Sequence, residues 1–512
     1  MKQLLLVFVF LAIILRSESA RILAVLVLPS RSHQRIFHTL TTELVDRGHQ
    51  LVVITPNPMF QKGEAPKNLT EIGAINKLDK VWTKMPVPAG ISGETDRKFA
   101  AKSAIEKLSN LFYECLGTED VRKIIEDSNI KFDLLILEGW FRPSIAFFYK
   151  FNVPVIRFNS FNSVFSEYKD IGVVSHPILY PGAFSTKLTG YSFSETIKEL
   201  YDSYFFTNLY KNQDKDNDIR LKQYFGPGIP SLSELNENVN ILMVNMHSIW
   251  EMNVPTPPSV VHVSGIHLKA KKELPKDFKS YLDDLPNDVI YISFGSISET
   301  AWISAEQLQM MVNVLSRLPY QVIWKWNEDG LPGRSGNIMI SKWLPQEALL
   351  KHPKVKLFIT QGGFQSTQEA IVAGVPLLGM PHRVDQFVNV ENYIRLKIGR
   401  RLDMKMLTEE RFEDSINTLI KDKSYRQNIL QLSLLLHDER LPPLARAVWW
   451  TEHVLRHAGA PYLRAPAANM HWARYYQLDL IVLLAAVALL ACFAVYKGAK
   501  ILLRLVWRIC VK

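Results

Sequence analysis

Unbroken apolar runs, not alternating positions, mark the first strands of this chain. Arg21-Ile-Leu-Ala-Val-Leu-Val-Leu28 is almost continuously apolar, the pattern of a strand in a parallel sheet covered on both faces. Pro29-Ser-Arg-Ser-His33 turns the chain, residues 37–47 read as a helix stopped by Gly48, and 51–55 form the next strand. That order predicts a β-α-β unit with a right-handed crossover, the start of a doubly wound domain. Lys131-Phe-Asp-Leu-Leu-Ile-Leu137 predicts a further strand that delivers Glu138-Gly139 to the same sheet edge as His33, and 153–157 predicts another. Such edges, at the carboxyl ends of the strands, are where open α/β sheets hold ligands. A lone His there is more commonly structural than catalytic.

A second series begins after a Pro- and Lys-rich stretch, 251–285, that has linker composition. Its strands are predicted at 289–293 and 321–326, with a helix over 305–318 between them. Residues 355–359 form a short apolar strand, Thr360-Gln-Gly-Gly363 turns the chain, and a helix runs from Ser366 to Ala373, closed by Gly374. Helices over 408–420, 422–436 and 443–457 follow. Between about 168 and 223 aromatics mix with charges without clean periodicity, so that region lines an apolar cleft or lies against a bilayer surface.

The two ends are hydrophobic in a different way. Residues 1–20 carry Lys2, an apolar run and a small-residue exit at Ser17-Glu-Ser-Ala20, the form of a secretory signal peptide. Residues 480–496 are almost free of polar groups, about 26 Å of helix at ~1.5 Å per residue, enough to cross most of a bilayer. Tyr475 and Tyr476 precede the run as interfacial anchors, and Lys497, Lys500, Arg504, Arg508 and Lys512 follow it with no acid among them. A cleaved leader and a C-terminal stop-transfer predict a lumenal body with a cytoplasmic tail. The tail cations share one helical face, which suits a helix on anionic headgroups or a plain positive-inside signal.

Composition narrows the class. The 512 residues exceed one hydrophobic core, and with 47% hydrophobic and 21% charged residues the chain is an ordinary globular protein. The formal charge of +10 is partly the membrane-topology signal of the tail, and no nucleic-acid motif accompanies it. Cys115, Cys492 and Cys510 are the only cysteines, so neither a disulfide framework nor Cys/His zinc spacing is expected. Asn68-Leu-Thr70 is a glycosylation sequon.

The candidate chemistry concentrates in Trp343-Leu-Pro-Gln346 through Asp385-Gln386. A strand, a Gly-Gly turn and a helix N-terminus present backbone N–H groups and the positive end of a helix dipole, which suits phosphate oxygens. An indole, a carboxylate and the Asp385-Gln386 pair around it fit the base, the vicinal hydroxyls and the sugar of a nucleotide sugar. The structural alternatives are a plain tight turn at Gly362-Gly363 and a capping box in which Glu369 returns to the N–H at Ser366.

The order and spacing of this stretch resemble the signature of the animal UDP-glycosyltransferases, the family that includes the UDP-glucuronosyltransferases, and its wording is closest to the invertebrate branch. The resemblance runs from about 21 to about 500, dense over 286–460 and thin over 60–240. It implies that Trp343 stacks on uracil and Gln346 meets uracil or ribose. Thr360, Gln361, Gly362, Gly363, Gln365 and Ser366 surround the phosphates, Glu369 holds the ribose hydroxyls, and Asp385 and Gln386 hold the transferred sugar. Ser293, Gly295 and Ser296, in Ser293-Phe-Gly-Ser296, match a second phosphate-side loop. His33 and Glu138 occupy the positions of the catalytic His and Asp. Two departures stand out: many relatives carry His where Gln361 stands, and Glu138 replaces Asp.

The resemblance further implies two doubly wound Rossmann-like domains facing across a cleft, the GT-B arrangement. In this chain that means an acceptor-binding domain over 21–250, a donor domain over 286–440, returning helices over 441–477, a transmembrane helix over 478–496 and a basic tail over 497–512. The implied activity is transfer of a hexose, glucose by branch, from a UDP-sugar to the hydroxyl of a small lipophilic acceptor such as a steroid, phenol or xenobiotic. No metal and no cofactor are expected, the UDP-sugar being a co-substrate, and the anomeric centre inverts. The implied location is the endoplasmic reticulum membrane. Two alternatives stay open: a membrane-anchored protein that binds UDP-sugars or lipophiles without turnover, and a transferase acting on a membrane lipid. A homo-oligomer is a further possibility.

Overall fold

A computed structural model describes residues 19–61, 63–73, 94–163, 167–173, 176–268, 273–295 and 302–511. Most of the expected leader, 1–18, and the expected phosphate-side residue Ser296 therefore lie outside the described residues. Two parallel sheets organise the chain. The first orders its strands β3-β2-β1-β4-β5-β6-β7, with β1 Arg21–Val25, β2 Gln50–Thr55, β3 Leu69–Gly73, β4 Leu134–Glu138, β5 Val155–Asn159, β6 Val239–Val244 and β7 Val260–His262. The second orders them β10-β9-β8-β11-β12-β13, with β8 Val289–Ser293, β9 Gln321–Lys325, β10 Ile338–Ser341, β11 Val355–Thr360, β12 Leu377–Gly379 and β13 Gly399–Arg401.

Both sheets are doubly wound. In each, the chain starts at an inner strand, runs out to one edge and then crosses to the other side. The reversals fall between β1 and β4 and between β8 and β11, the switch points at which such sheets bind ligands. Register brings the strand ends together: Val25 lies beside Leu137, and Thr360 beside Ser293. β1, β4, β5 and β8 are buried over nearly all their length, as their unbroken apolar sequences require.

Five helices position the site: α1 Arg31–Asp46, α2 Gln346–Leu350, α3 Phe364–Ala373, α4 Gln386–Arg395 and α5 Pro443–Arg456. α1 begins six residues before the expected start, so His33 lies in its first turn and not in a loop. The early turn is held by a buried polar side chain. Gln34 Nε2 donates to the Leu28 carbonyl at 2.8 Å and its Oε1 accepts from Thr55 Oγ1 at 2.8 Å, pinning α1 to the ends of β1 and β2.

The stretch expected to be a linker contains β7, the seventh strand of the first sheet. α5 packs its Ala447, Val448 and Val454 with Ile22, Ala24 and Ile36, and Arg446 Nη1 donates to the His262 carbonyl at 2.8 Å. The chain thus returns from the second lobe to the first. Trp250, 3% exposed, bridges the lobes: its ring lies 5.7 Å from Phe364 and its Nε1 donates to Asn389 Oδ1 at 3.0 Å.

Two other expectations change. Residues 193–225 form one helix, Phe193–Phe225, in the region without readable periodicity. The expected membrane segment and tail form a single helix, Leu478–Cys510, of 33 residues with no break at Lys497. It is exposed along its length and is the one helix among the described residues long and apolar enough to cross a membrane. Ser19 and Ala20, at the expected leader exit, are ordered against the first lobe: the Ala20 N–H donates to His49 Nδ1 at 3.2 Å. The sequon is engaged too, with Asn68 Nδ2 donating to the Val45 and His49 carbonyls at 2.8 and 2.9 Å.

Candidate active site

The Gly-Gly turn is shaped by what surrounds it. Gly362 has φ +90°, and a Cβ there would lie 2.6 Å from Val390 Cγ2 and 3.1 Å from the Gln386 carbonyl oxygen, so only glycine fits. Gly363 is the N-cap of α3, which starts two residues earlier than expected and has no side-chain cap. Ser366 is therefore inside the helix, and the capping box, the structural alternative for Glu369, does not form. With no side-chain cap bonded to them, the first-turn N–H groups of α3 at the end of β11 are left for an anion that would complete the helix dipole. Thr360 and Ser293 close that point from the two strand ends, and their hydroxyls accept from the N–H groups of Gly362 and Gly295, each at 3.4 Å. Gln361 lies over Gly295, whose φ of +97° and lack of a Cβ make room for the amide.

Around the turn the expected ribose group forms one network. Tyr291 OH donates to Gln346 Oε1 at 2.9 Å, which aims Gln346 Nε2 at Ser366 Oγ (2.9 Å) and Glu369 Oε2 (2.8 Å). Tyr291 is fully buried and stacks on Phe358 at 4.9 Å. Glu369 is buried at 4% exposure. Burial raises its carboxyl above the usual range, against the opposing pull of Arg35 and Gln346. Trp343 sits apart from this network, its indole exposed on the loop between β10 and α2, open to stack on a flat partner.

The expected sugar pair heads α4. Asp385 Oδ2 accepts from Asn389 Nδ2 at 2.8 Å, and the same amide reaches the Gly362 carbonyl at 2.9 Å, tying the carboxylate to the glycine turn. Burial pushes the Asp385 carboxyl up to about 6, with the Asn389 bond opposing it. Gln386 Oε1 is used internally, accepting from the His382 and Arg383 N–H groups at 2.9 and 2.8 Å. A cavity of about 10 Å³ lies beside Asp385 and Asn389, walled by Asn162, Trp250, Glu251 and Val388 among others. It is room for about one water.

The opposite lobe supplies the imidazole. His33 Nδ1 lies 2.5 Å from Ser160 Oγ, and its ring packs edge-on against Phe161 at 5.1 Å. Burial lowers its pKa to about 4, so the ring is neutral at pH 7. The Ser160 carbonyl accepts from Gln365 Nε2 of α3 at 3.3 Å and from Asn245 Nδ2 at 2.8 Å. His33 and the α3 N-terminus are therefore joined through one residue across the cleft.

The expected contact between His33 and Glu138 is not made. Glu138 reaches the correct sheet edge at 1% exposure, but its Oε2 accepts from the Val27 and Leu28 N–H groups at 2.6 and 2.7 Å. Beyond β1 these two donors have no strand partner for their bonds, and the longer glutamate arm satisfies them. Burial pushes its carboxyl up to about 7 despite both bonds.

Several residues of the site had no sequence signal. Ser160, Asn245 and Tyr291 are single polar groups at strand ends or within strands. Arg35 lies in the hydrophilic start of α1, and Asn389 could be found only from its i+4 spacing to Asp385.

Comparison with known proteins places this geometry. The family model described as UDP-glucoronosyl and UDP-glucosyl transferase matches residues 23–512. The chain is 32% identical over 504 residues to UDP-glycosyltransferase UGT5 of Dactylopius coccus, covering 95% of this chain and 93% of that protein. It is 30% identical to the ecdysteroid UDP-glucosyltransferase of Spodoptera littoralis nuclear polyhedrosis virus, covering 94% of this chain and 97% of that one. Among solved structures, a UDP-glucose: anthocyanidin 3-O-glucosyltransferase in complex with UDP superposes with a TM-score of 0.59 at 17% identity, covering 86% of this chain and all of that one. That likeness carries the fold, two facing parallel α/β lobes of the GT-B type. With the family match spanning nearly the whole chain, this protein belongs to the UDP-glycosyltransferase family of enzymes.

Proposed function

We propose that this chain transfers glucose from UDP-glucose to the hydroxyl of a small lipophilic acceptor, with inversion and without a metal. The observation that carries the reading is the link His33–Ser160–Gln365, which joins a neutral imidazole on one lobe to an uncapped helix N-terminus on the other.

The chemistry follows from those groups. A ring whose pKa is lowered to about 4 keeps a free Nε2 lone pair at neutral pH, so it can accept the acceptor's hydroxyl proton. Ser160 Oγ takes the Nδ1–H and fixes the tautomer. The alcohol oxygen attacks the anomeric carbon as the bond to the diphosphate breaks, and attack opposite an α-linked leaving group gives a β-glycoside. Charge arriving on the diphosphate meets the first-turn N–H groups of α3 with Thr360 and Ser293, donors already in place. Asp385, tied by Asn389, is placed to hold sugar hydroxyls, Glu369 to hold those of the ribose, and Trp343 to cover the uracil.

Glucose as donor is supported by the relatives named as UDP-glucosyltransferases, and a steroid-like acceptor by the viral relative named for ecdysteroids. The apolar C-terminal helix supports attachment to the endoplasmic reticulum membrane, with the body lumenal and the basic end cytoplasmic.

UDP release from a set of UDP-sugars with a panel of phenols and steroids tests the reading, wild type against His33→Ala. Turnover with UDP-glucose that His33→Ala reduces by about 10²–10⁴ is the expected result. Turnover unaffected by the substitution removes His33 as the base. Binding of UDP without turnover on any acceptor favours a non-catalytic binder, and label from UDP-glucose found only in extracted lipid favours a lipid acceptor.

A further inference from the structure

Arg35 follows His33 by two residues on α1, yet its guanidinium lies in the donor lobe. Nη1 donates to Glu369 Oε1 at 2.8 Å and Nη2 to Glu347 Oε2 at 2.7 Å. One fork thus spans two carboxylates from different helices, α3 and α2, a geometry for which a planar guanidinium is suited and an ammonium is not. Glu369 has its other oxygen on Gln346 Nε2, so both of its oxygens are engaged.

The three partners differ in freedom. The Arg35 side chain is 37% exposed, against 5% for Glu369 and 1% for Glu347. A group arriving at Glu369 therefore displaces the arginine and not the carboxylates, because only the arginine has solvent to move into. The Oε1 it would vacate is the oxygen that a vicinal diol needs, since a hydroxyl donates to a carboxylate along the same directions the guanidinium now fills.

We propose that Arg35 competes with the ribose of the donor for Glu369. Nucleotide binding exchanges the Arg35–Glu369 ion pair for ribose hydroxyls, while the Arg35–Glu347 pair keeps α1, and with it His33, docked on the donor lobe. The inference rests on the reading of Glu369 as the ribose carboxylate. It gives Arg35 two effects of opposite sign: it strengthens the donor-free contact between the lobes and weakens the donor's hold.

Titration calorimetry of UDP with the full-length protein in detergent tests it, on wild type, Arg35→Gln, Arg35→Lys and the double variant that adds Glu369→Gln to Arg35→Gln, with thermal unfolding of each in the absence of UDP. Arg35→Gln is expected to bind UDP about tenfold more tightly, a change of about 1.4 kcal/mol, while melting at a lower temperature without it. Arg35→Lys, which reaches one carboxylate at a time, falls between. A purely structural arginine would lower the melting temperature without tightening UDP. UDP affinity that is unchanged or weaker in Arg35→Gln overturns the proposal, and if that variant does not fold, the sign of the change in Arg35→Lys decides. Glu369→Gln made in the Arg35→Gln background, where no arginine competes, separates the two ideas: UDP affinity equal to that of Arg35→Gln alone refutes the ribose role itself.

Discussion

Glu138 gives the sharpest test of how the imidazole is supported. Replacing it with glutamine keeps an oxygen for the Val27 and Leu28 N–H groups but removes the charge. Raising a carboxyl from 4.5 to about 7 makes its ionised form cost about 3 kcal/mol in the fold. The sign follows from proton binding: the folded state holds this proton more tightly than the unfolded chain. Stability contributed by the group is therefore complete below pH ~4.5 and is lost as pH rises through about 7. Glu138→Gln, which mimics the protonated form, should be close to neutral near pH 5 and should gain on wild type by up to about 3 kcal/mol by pH 8. Glu138→Ala leaves two buried donors unpaired, at about 1–3 kcal/mol each, and should destabilise at every pH. Urea unfolding from pH 5 to 8 reads these differences, with UDP release measured on the same preparations. With the carboxylate serving the β1 backbone, kcat of the glutamine variant stays within about tenfold of wild type, or ~1.4 kcal/mol. A folded Glu138→Gln enzyme with intact UDP affinity and kcat reduced a thousandfold would refute this assignment and return the carboxylate to the service of His33.

Three further outcomes follow from the same geometry. The acid limb of kcat/KM should fall as pH drops through about 4, where His33 gains its proton, and a limb centred near 6.5 would show that the ring is not buried in the free enzyme. Gly362→Ala combines a left-handed backbone with a 2.6 Å approach to Val390 and should cost about 2–4 kcal/mol of stability; calorimetry should find UDP binding lost, and retained binding would remove the turn from the phosphate site. His267, buried with neither ring nitrogen hydrogen-bonded, has its pKa lowered to about 3, first by burial and then by Arg35. The unfolded chain takes up that proton from pH ~6.5 downward while the fold does not, so stability falls by about 2 kcal/mol between pH 7 and 5 on account of this residue. His267→Phe should flatten the urea midpoint over that range, and an unchanged slope would contradict the burial.

How much of this was readable depended on whether apolar residues carried the signal. β8 lies at the bounds its apolar run gives, because a strand buried on both faces has no other way to be written. α1 starts earlier than periodicity suggests, since its first turn is fixed by the polar Gln34 and not by an apolar residue. The helix Phe193–Phe225 defeats pattern reading because its first turns invert the usual polarity, while Phe206, Tyr210 and Leu221 further on are buried. Glu199 and Asp202 are buried, while Phe193, Ile197, Tyr201 and Tyr204 are exposed. In the site, Gln346, Ser366 and Glu369 of the signature stretch meet in one network while Trp343 stands apart, and the partners that orient them are tertiary. Sequence could bring Glu138 to the edge of β4, yet whether it met His33 or the end of β1 depended on where Val27 and Leu28 direct their N–H groups.

The return of α5 to the first lobe decides from which half the C-terminal helix departs. Backbone crosses between the lobes once after β7 and once before α5, so the first lobe holds both ends of the second. Leu478–Cys510, the helix apolar enough to cross a membrane, therefore leaves the chain from the side of the His33 lobe and not from the nucleotide side.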